Sequence, residues 1–170
     1  LTRDEIITVL TALGQKLVQE GILGEMYLVG GAAMALAYDV VRVTRDVDAV
    51  FVPKHEIYRA ARELAEELGL PQMWLGDAVK GFLAGEDSES IPVLEVPGLR
   101  VMAASPRYML AMKCLAGRLE DESDIRYLVG LLGIETLEAA LALVESVCPQ
   151  RPIPARARFL LEELFDQRCL

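Results

Sequence analysis

Asp46 and Asp48, two carboxylates one residue apart, open the apolar run of residues 47–52. On an extended strand such side chains project to the same face, so the two acids would be held side by side. Like charges that close repel unless a cation sits with them, and hard carboxylate oxygens suit Mg²⁺ or Mn²⁺. The pair reads equally well as solvated acids on an edge strand. Upstream, the apolar residues 26–29 run into Gly30-Gly31 and then into the helix formers of residues 32–38. Glycines at a helix start let backbone N–H groups and the helix N-terminus approach a polyphosphate; the plainer reading is a tight turn. Arg42 and Thr44 share the parity of the two acids and would extend one polar face toward the same place. There Arg42 would neutralise phosphate charge and Thr44 would fix a carboxylate or the loop, unless each only makes a local hydrogen bond.

Other chemistry-bearing residues are fewer. Lys113 sits in the otherwise apolar segment MLAMKCLAG, where a lysine either extends its amine to solvent or serves a site. Asp121 and Asp124 follow it, either as members of that site or as first-turn acids of the next helix. The only histidine, His55, stands between Lys54 and Glu56 at a helix start and reads as surface, which disfavours a hydrolytic triad. Cys114, Cys148 and Cys169 lack the spacing of a zinc site or a disulfide framework. No Walker lysine follows the glycines, which argues against a P-loop ATPase.

The elements that must position these residues are legible in outline. Thr2 is a helix cap, and Ile6, Val9, Leu10, Leu13 and Leu17 recur at helical spacing up to Gly21 or Gly24. Strand, turn and helix follow over residues 26–38, then a strand at 47–52 that Pro53 stops. Ile57, Ala60, Ala61, Leu64 and Leu68 mark a helix ended by Gly69. Residues 72–90, with Trp74, Phe82 and Leu83 scattered among Gly76, Gly81 and Gly85, read as irregular, with a solvated loop near 85–90. Strand pieces at 93–96 and 99–103 flank the Pro97-Gly98 turn, and Ser105-Pro106 starts a helix. Helices near 106–116, 122–132, 135–147 and 155–167 complete the chain. The expected class is α/β or α+β: a mixed sheet flanked by helices over residues 1–104, and a helical part, 105–170, packed on that core.

The 170 residues, 53% apolar and 25% charged, fit a packed globular chain. A net charge of −9 argues against coating nucleic acid through general electrostatics, although Arg100, Arg107, Lys113, Arg118 and Arg126 form one local basic concentration and Arg151, Arg156, Arg158 and Arg168 another. No apolar run reaches the about eighteen residues of a membrane span, and the N-terminus lacks the order of a signal peptide. A cytoplasmic location without membrane partners is expected.

The stretch VGGAAMALAYDVVRVTRDVDAV resembles the signature of the nucleotidyltransferase superfamily: an apolar residue, a glycine pair, a spacer and an Asp-x-Asp strand. Arg-x-Thr-x-Asp-x-Asp is similar to the branch related to the AbiEii toxins of bacterial toxin–antitoxin and phage-defence systems. A later lysine followed by Ala, Arg and acids, here Lys113, Ala116, Arg118, Asp121 and Asp124, and the ending ARFLLEELF extend the resemblance over most of the chain. It implies that Gly30 and Gly31 hold nucleotide phosphates, that Asp46 and Asp48 bind Mg²⁺ or Mn²⁺, that Lys113 contacts the triphosphate and that Asp124 supports the site. Many such enzymes place a third carboxylate on a later strand; Glu95, in Val93-Leu94-Glu95-Val96, is the residue at that position. The implied reaction moves a nucleoside monophosphate from a nucleoside triphosphate to an acceptor hydroxyl on RNA, such as a tRNA end, or on protein, with an antitoxin as a further partner. A catalytically degenerate nucleotide- or partner-binding module is the alternative. A glycosyltransferase using Asp-x-Asp is a third reading, but such enzymes are generally larger and lack the glycine-opened helix.

Overall fold

The computed structural model describes residues 1–38, 42–77 and 86–166. Residues 39–41 of the motif, Gly81, Phe82, Leu83 and Gly85 of the irregular stretch, the end of the final expected helix, Arg168 and Cys169 lie outside the described residues. The fold is α+β, with seven α-helices and one five-stranded mixed sheet among the described residues. The chain divides into two compact units, one of Leu1–Gly81 with Ser88–Ala104, the other of Phe82–Asp87 with Ser105–Leu170. The second unit thus takes residues 82–87, which the sequence reading leaves with the sheet.

The first unit begins with α1 (Arg3–Gln19), whose entry is fixed reciprocally. The Thr2 hydroxyl accepts from the Glu5 amide at 3.3 Å, and the Thr2 amide donates to Glu5 Oε2 at 2.7 Å. Ile6, Leu10, Leu13 and Leu17 then fall on one buried stripe. After it come β1 (Gly24–Leu28), α2 (Gly30–Ala37), β2 (Val47–Val52), α3 (Lys54–Leu68), β3 (Leu75–Gly76), β4 (Ile91–Val96) and β5 (Leu99–Ala103). The sheet order is β3-β2-β1-β5-β4. Central β1 runs antiparallel to β2, with Leu28 opposite Ala49, and parallel to β5, with Leu28 opposite Ala103. On β2, Val47, Ala49 and Phe51 are buried, whereas Asp48 and Val50 are half-buried and Val52 is exposed. That period-two alternation is what a strand with one covered face requires. Phe51 meets Tyr58 of α3 edge to face at 4.9 Å between ring centroids. Helix α2 is buried from Ala32 to Leu36 all round, so its small and apolar residues serve a helix with no solvent face.

The second unit holds α4 (Pro106–Ala116), a 3₁₀ turn (Leu119–Asp121), α5 (Glu122–Leu131), α6 (Leu137–Val147) and α7 (Ala155–Asp166). Ser105 caps α4 by accepting from the Tyr108 amide at 3.3 Å, with Pro106 at the first helical position. Met109, Leu110, Ile125, Leu128, Val144 and Leu161 are among its buried side chains.

Strand β3 departs from expectation. The sequence reading leaves this stretch irregular, yet Leu75 and Gly76 pair in parallel with Val47 and Asp48. Two residues carry no periodicity for a pattern to show. What holds them is tertiary: Trp74 is buried and donates from its indole Nε1 to the Ala61 carbonyl of α3 at 2.9 Å.

Candidate active site

Helix α2 opens directly where β1 ends. Val29 occupies the cap position without a side-chain cap, and its own amide donates to the Asp48 carbonyl at 3.0 Å. The glycine pair at the helix start and the acid-bearing start of β2 therefore meet at one end of the sheet. Gly30 has φ of +62°, a left-handed conformation that a residue with Cβ adopts only with strain. A Cβ at Gly30 would lie 3.5 Å from Asp48 Oδ2. At Gly31 a Cβ would stand 2.7 Å from Thr44 Oγ1 and 3.6 Å from Arg42 Nε, closer than the threonine allows. The absence of a side chain at Gly31 is what admits Thr44 to the helix start, while Asp48 and Arg42 stand at ordinary contact distance from a Cβ placed at Gly30 and Gly31. There the unpaired amides and the positive end of the helix dipole favour an anion.

The expected polar face at period two is corrected by the structure. Strand geometry begins only at Val47, whose amide donates to the Trp74 carbonyl at 2.7 Å; Asp46 sits in a bend before it and is exposed. Residues 42–46 are thus not strand, and strand alternation does not orient them. Thr44 is placed instead by local bonds: its amide donates to the Leu1 carbonyl at 2.9 Å, and its hydroxyl donates to the Asp46 carbonyl at 2.9 Å. Asp48 alone of the pair projects from β2. Its other oxygen, Oδ1, lies 3.6 Å from the position a Cβ would take on Gly76, its register partner in β3.

Glu95 does not join Asp48. It lies on the edge strand β4, three strand spacings from β2, or about 14 Å across the sheet. Its register row runs through Arg100 and Glu25 to Val52, at the other end of β2 from Asp48. The carboxylate is exposed and pairs with Arg100 at 3.2 Å. Alternating apolar neighbours identified a strand acid correctly, but only topology decides which strand lies beside it. Among the described residues no group of three His, Cys, Asp or Glu could hold a metal ion.

Lys113 and Asp124 belong to the second unit. Lys113 is neither exposed nor free: its amine lies 2.5 Å from Asp121 Oδ1 and 2.7 Å from Asp124 Oδ2, with only 7% of its side chain exposed. Both acids are buried, Asp124 in the first turn of α5 and Asp121 just before it. Next to the lysine, burial and then the charge of Asp121 push the Cys114 thiol up to about 12. Cys148 is also buried, and His55 is exposed at the start of α3. Sequence reasoning missed Gly76, Trp74 and Asp77, and Tyr58 of α3 that bonds Asp77, because the pairing of residues 74–77 with β2 and α3 arises from tertiary contact.

The fold and this corner define a class of chain: an α+β unit in which a glycine-opened helix start abuts an acid-bearing strand. Comparison with protein-family models, with curated proteins and with solved structures found no match.

Proposed function

We propose that this chain is a metal-dependent nucleotidyltransferase, moving a nucleoside monophosphate from a nucleoside triphosphate to an acceptor hydroxyl. The observation that carries the reading is the meeting of Gly30 and Gly31 with Asp48 and Thr44, where a Cβ at either glycine would occupy the space beside them. The motif resemblance, carried by the same residues, points the same way. Two carboxylates suit Mg²⁺ or Mn²⁺ arriving with a nucleotide, since Mg²⁺ usually keeps several waters and substrate phosphate oxygens as ligands and takes one or two protein carboxylates. Held at Asp46 and Asp48, the ion would neutralise charge on the phosphates. Gly30 and Gly31 present backbone amides to the triphosphate, and Arg42 adds a cation beside them. The acceptor hydroxyl releases its proton to solvent as its oxygen attacks the α-phosphorus in line, and pyrophosphate leaves with the electron pair of the broken P–O bond. Catalysis is positioning and electrostatic stabilisation.

Lys113 takes no phosphate in this scheme. Its charge is already matched by Asp121 and Asp124, and extracting it would leave two carboxylates buried. By the resemblance Asp124 supports the site; in the structure its carboxylate lies 2.7 Å from the Lys113 amine. By resemblance the acceptor is RNA, such as a tRNA end, or a protein, and an antitoxin is the regulating partner; the cytoplasmic location rests on the sequence pattern alone. No described helix is long and apolar enough to cross a membrane.

A second reading, a degenerate module that binds nucleotide or a partner without turnover, draws on one observation, the placement of Glu95 away from Asp48. Incubation of purified protein with each α-³²P nucleoside triphosphate, Mg²⁺ and total cellular RNA separates the two. Label on RNA or protein that disappears with Asp46→Ala/Asp48→Ala is expected. Nucleotide binding by calorimetry without transfer would favour the module, and no binding at all would sink both.

A further inference from the structure

The two-residue strand β3 is too short to hold its place by pairing alone. Two anchors bracket it. Before it, buried Trp74 donates from Nε1 to the Ala61 carbonyl at 2.9 Å. After it, Asp77 accepts from the Tyr58 hydroxyl at 2.6 Å on Oδ1 and pairs with Lys54 through Oδ2. Lys54, Tyr58 and Ala61 are spaced four and then three residues apart on α3, so the three anchoring groups form one stripe of a single helix. The Tyr58 ring is itself fixed, edge to face with Phe51 at 4.9 Å and under the Lys54 amine at 5.6 Å from its centroid. Burial, and then its bond to Asp77, raise the Tyr58 hydroxyl above the usual tyrosine range, so at neutral pH it remains a donor. Between the anchors, Gly76 lies in register with Asp48, and Asp48 Oδ1 occupies the space beside it.

We infer that Tyr58 and Asp77 are positioning residues for Asp48: the α3 stripe clamps β3 on both sides and so sets where the Asp48 carboxylate stands for its metal–nucleotide ligand. The inference rests on the nucleotidyltransferase reading for the identity of that ligand, whereas the clamp itself is a property of the unliganded chain. Tyr58 touches no substrate in this role; it acts through Asp77 and the backbone of β3.

Tyr58→Phe tests it, because the ring and its packing on Phe51 survive and only the hydroxyl is lost. Trp74 is the chain's single tryptophan, so its fluorescence reports the clamp without labelling. Loss of a charge-assisted hydrogen bond predicts about tenfold weaker Mg²⁺–ATP binding by calorimetry. Opening of the strand predicts about twofold greater acrylamide quenching of Trp74 in the free protein. Lys16→Met serves as the control: Lys16 ties α1 to α3 through Glu63 and Glu67 without touching β3, so both readouts should stay at wild-type values. Quenching in Tyr58→Phe equal to wild type overturns the clamp whatever the nucleotide does. Increased quenching with undiminished Mg²⁺–ATP affinity overturns the positioning role. Increased quenching in a series whose wild type binds none of the four nucleoside triphosphates with Mg²⁺ upholds the clamp and overturns the nucleotide reading instead, along with the role assigned to Asp48.

Discussion

Gly31 is the residue at which the proposed chemistry and the stability of the chain pull apart. Alanine is the better helix former in general, although at the second residue of α2 the gain is smaller than the about 1 kcal/mol of a helix interior. Its Cβ would nevertheless stand 2.7 Å from Thr44 Oγ1 and force Thr44 away from the helix start. Gly31→Ala is expected to keep its melting temperature within a few degrees of wild type while weakening Mg²⁺–nucleotide binding about tenfold, read by calorimetry beside thermal unfolding. Equal affinity in the variant would mean that the space beside Gly31 is not where phosphate goes. Cys114 makes a prediction in pH. Its thiol is raised in the folded chain to about 12 from an ordinary 9.0, so the unfolded chain loses that proton first. The contribution to stability is whole below pH 9 and falls away as pH rises toward 12. Native Cys114 should resist iodoacetamide at pH 8 and react once the chain is denatured, as peptide mass mapping would register. Rapid alkylation of the native thiol would contradict its burial.

At the scale of elements, the corner between α4 and α5 is set by one lysine and two acids. Removing the cation leaves both carboxylates buried without it, and breaking such a group is expected to destabilise by about 3–5 kcal/mol. Lys113→Met should therefore lower the urea midpoint sharply, and adding Asp121→Asn and Asp124→Asn should recover much of the loss; no recovery would assign the damage to packing instead. The helices of this unit are legible in the sequence because their signals are local: the Ser105 cap, Pro106, the αL glycine Gly117 and the apolar spacing of each segment. The same holds for α1, α3 and β5. In the site, the meeting of the glycines with Asp48 is legible because the strand leading into α2 and the next strand lie close together in the sequence. The orientation of residues 42–46 does not, since their bonds to Leu1 and within the bend replace strand pairing. Neither the fate of Glu95 nor the existence of β3 is local. The first depends on strand order, and the second on how Trp74 and Asp77 meet α3. Apolar neighbours alone left Lys113 undecided between solvent and a site, because its partners come eight and eleven residues later across a turn.

For the whole molecule, charge sets what kind of acceptor contact is available. At a net −9, long-range attraction works against nucleic acid, and affinity for RNA must come from a few local contacts. Filter binding to unstructured RNA between low and physiological salt is expected to give a shallow slope, corresponding to about two or three phosphates neutralised. A steep slope would instead point to the basic concentrations of residues 100–126 or 151–168 acting as a continuous track. The two edges of the sheet carry a different consequence. At one edge β3 offers only two residues, and at the other β4 contains Pro92, a register shift between Pro92 and Leu94, and the exposed charge of Glu95. A proline removes a backbone donor, a bulge turns the strand, and a charge penalises a partner strand laid alongside. Among the described residues neither edge is a good template for further strands, and this resists edge-to-edge aggregation in a chain more than half apolar by composition.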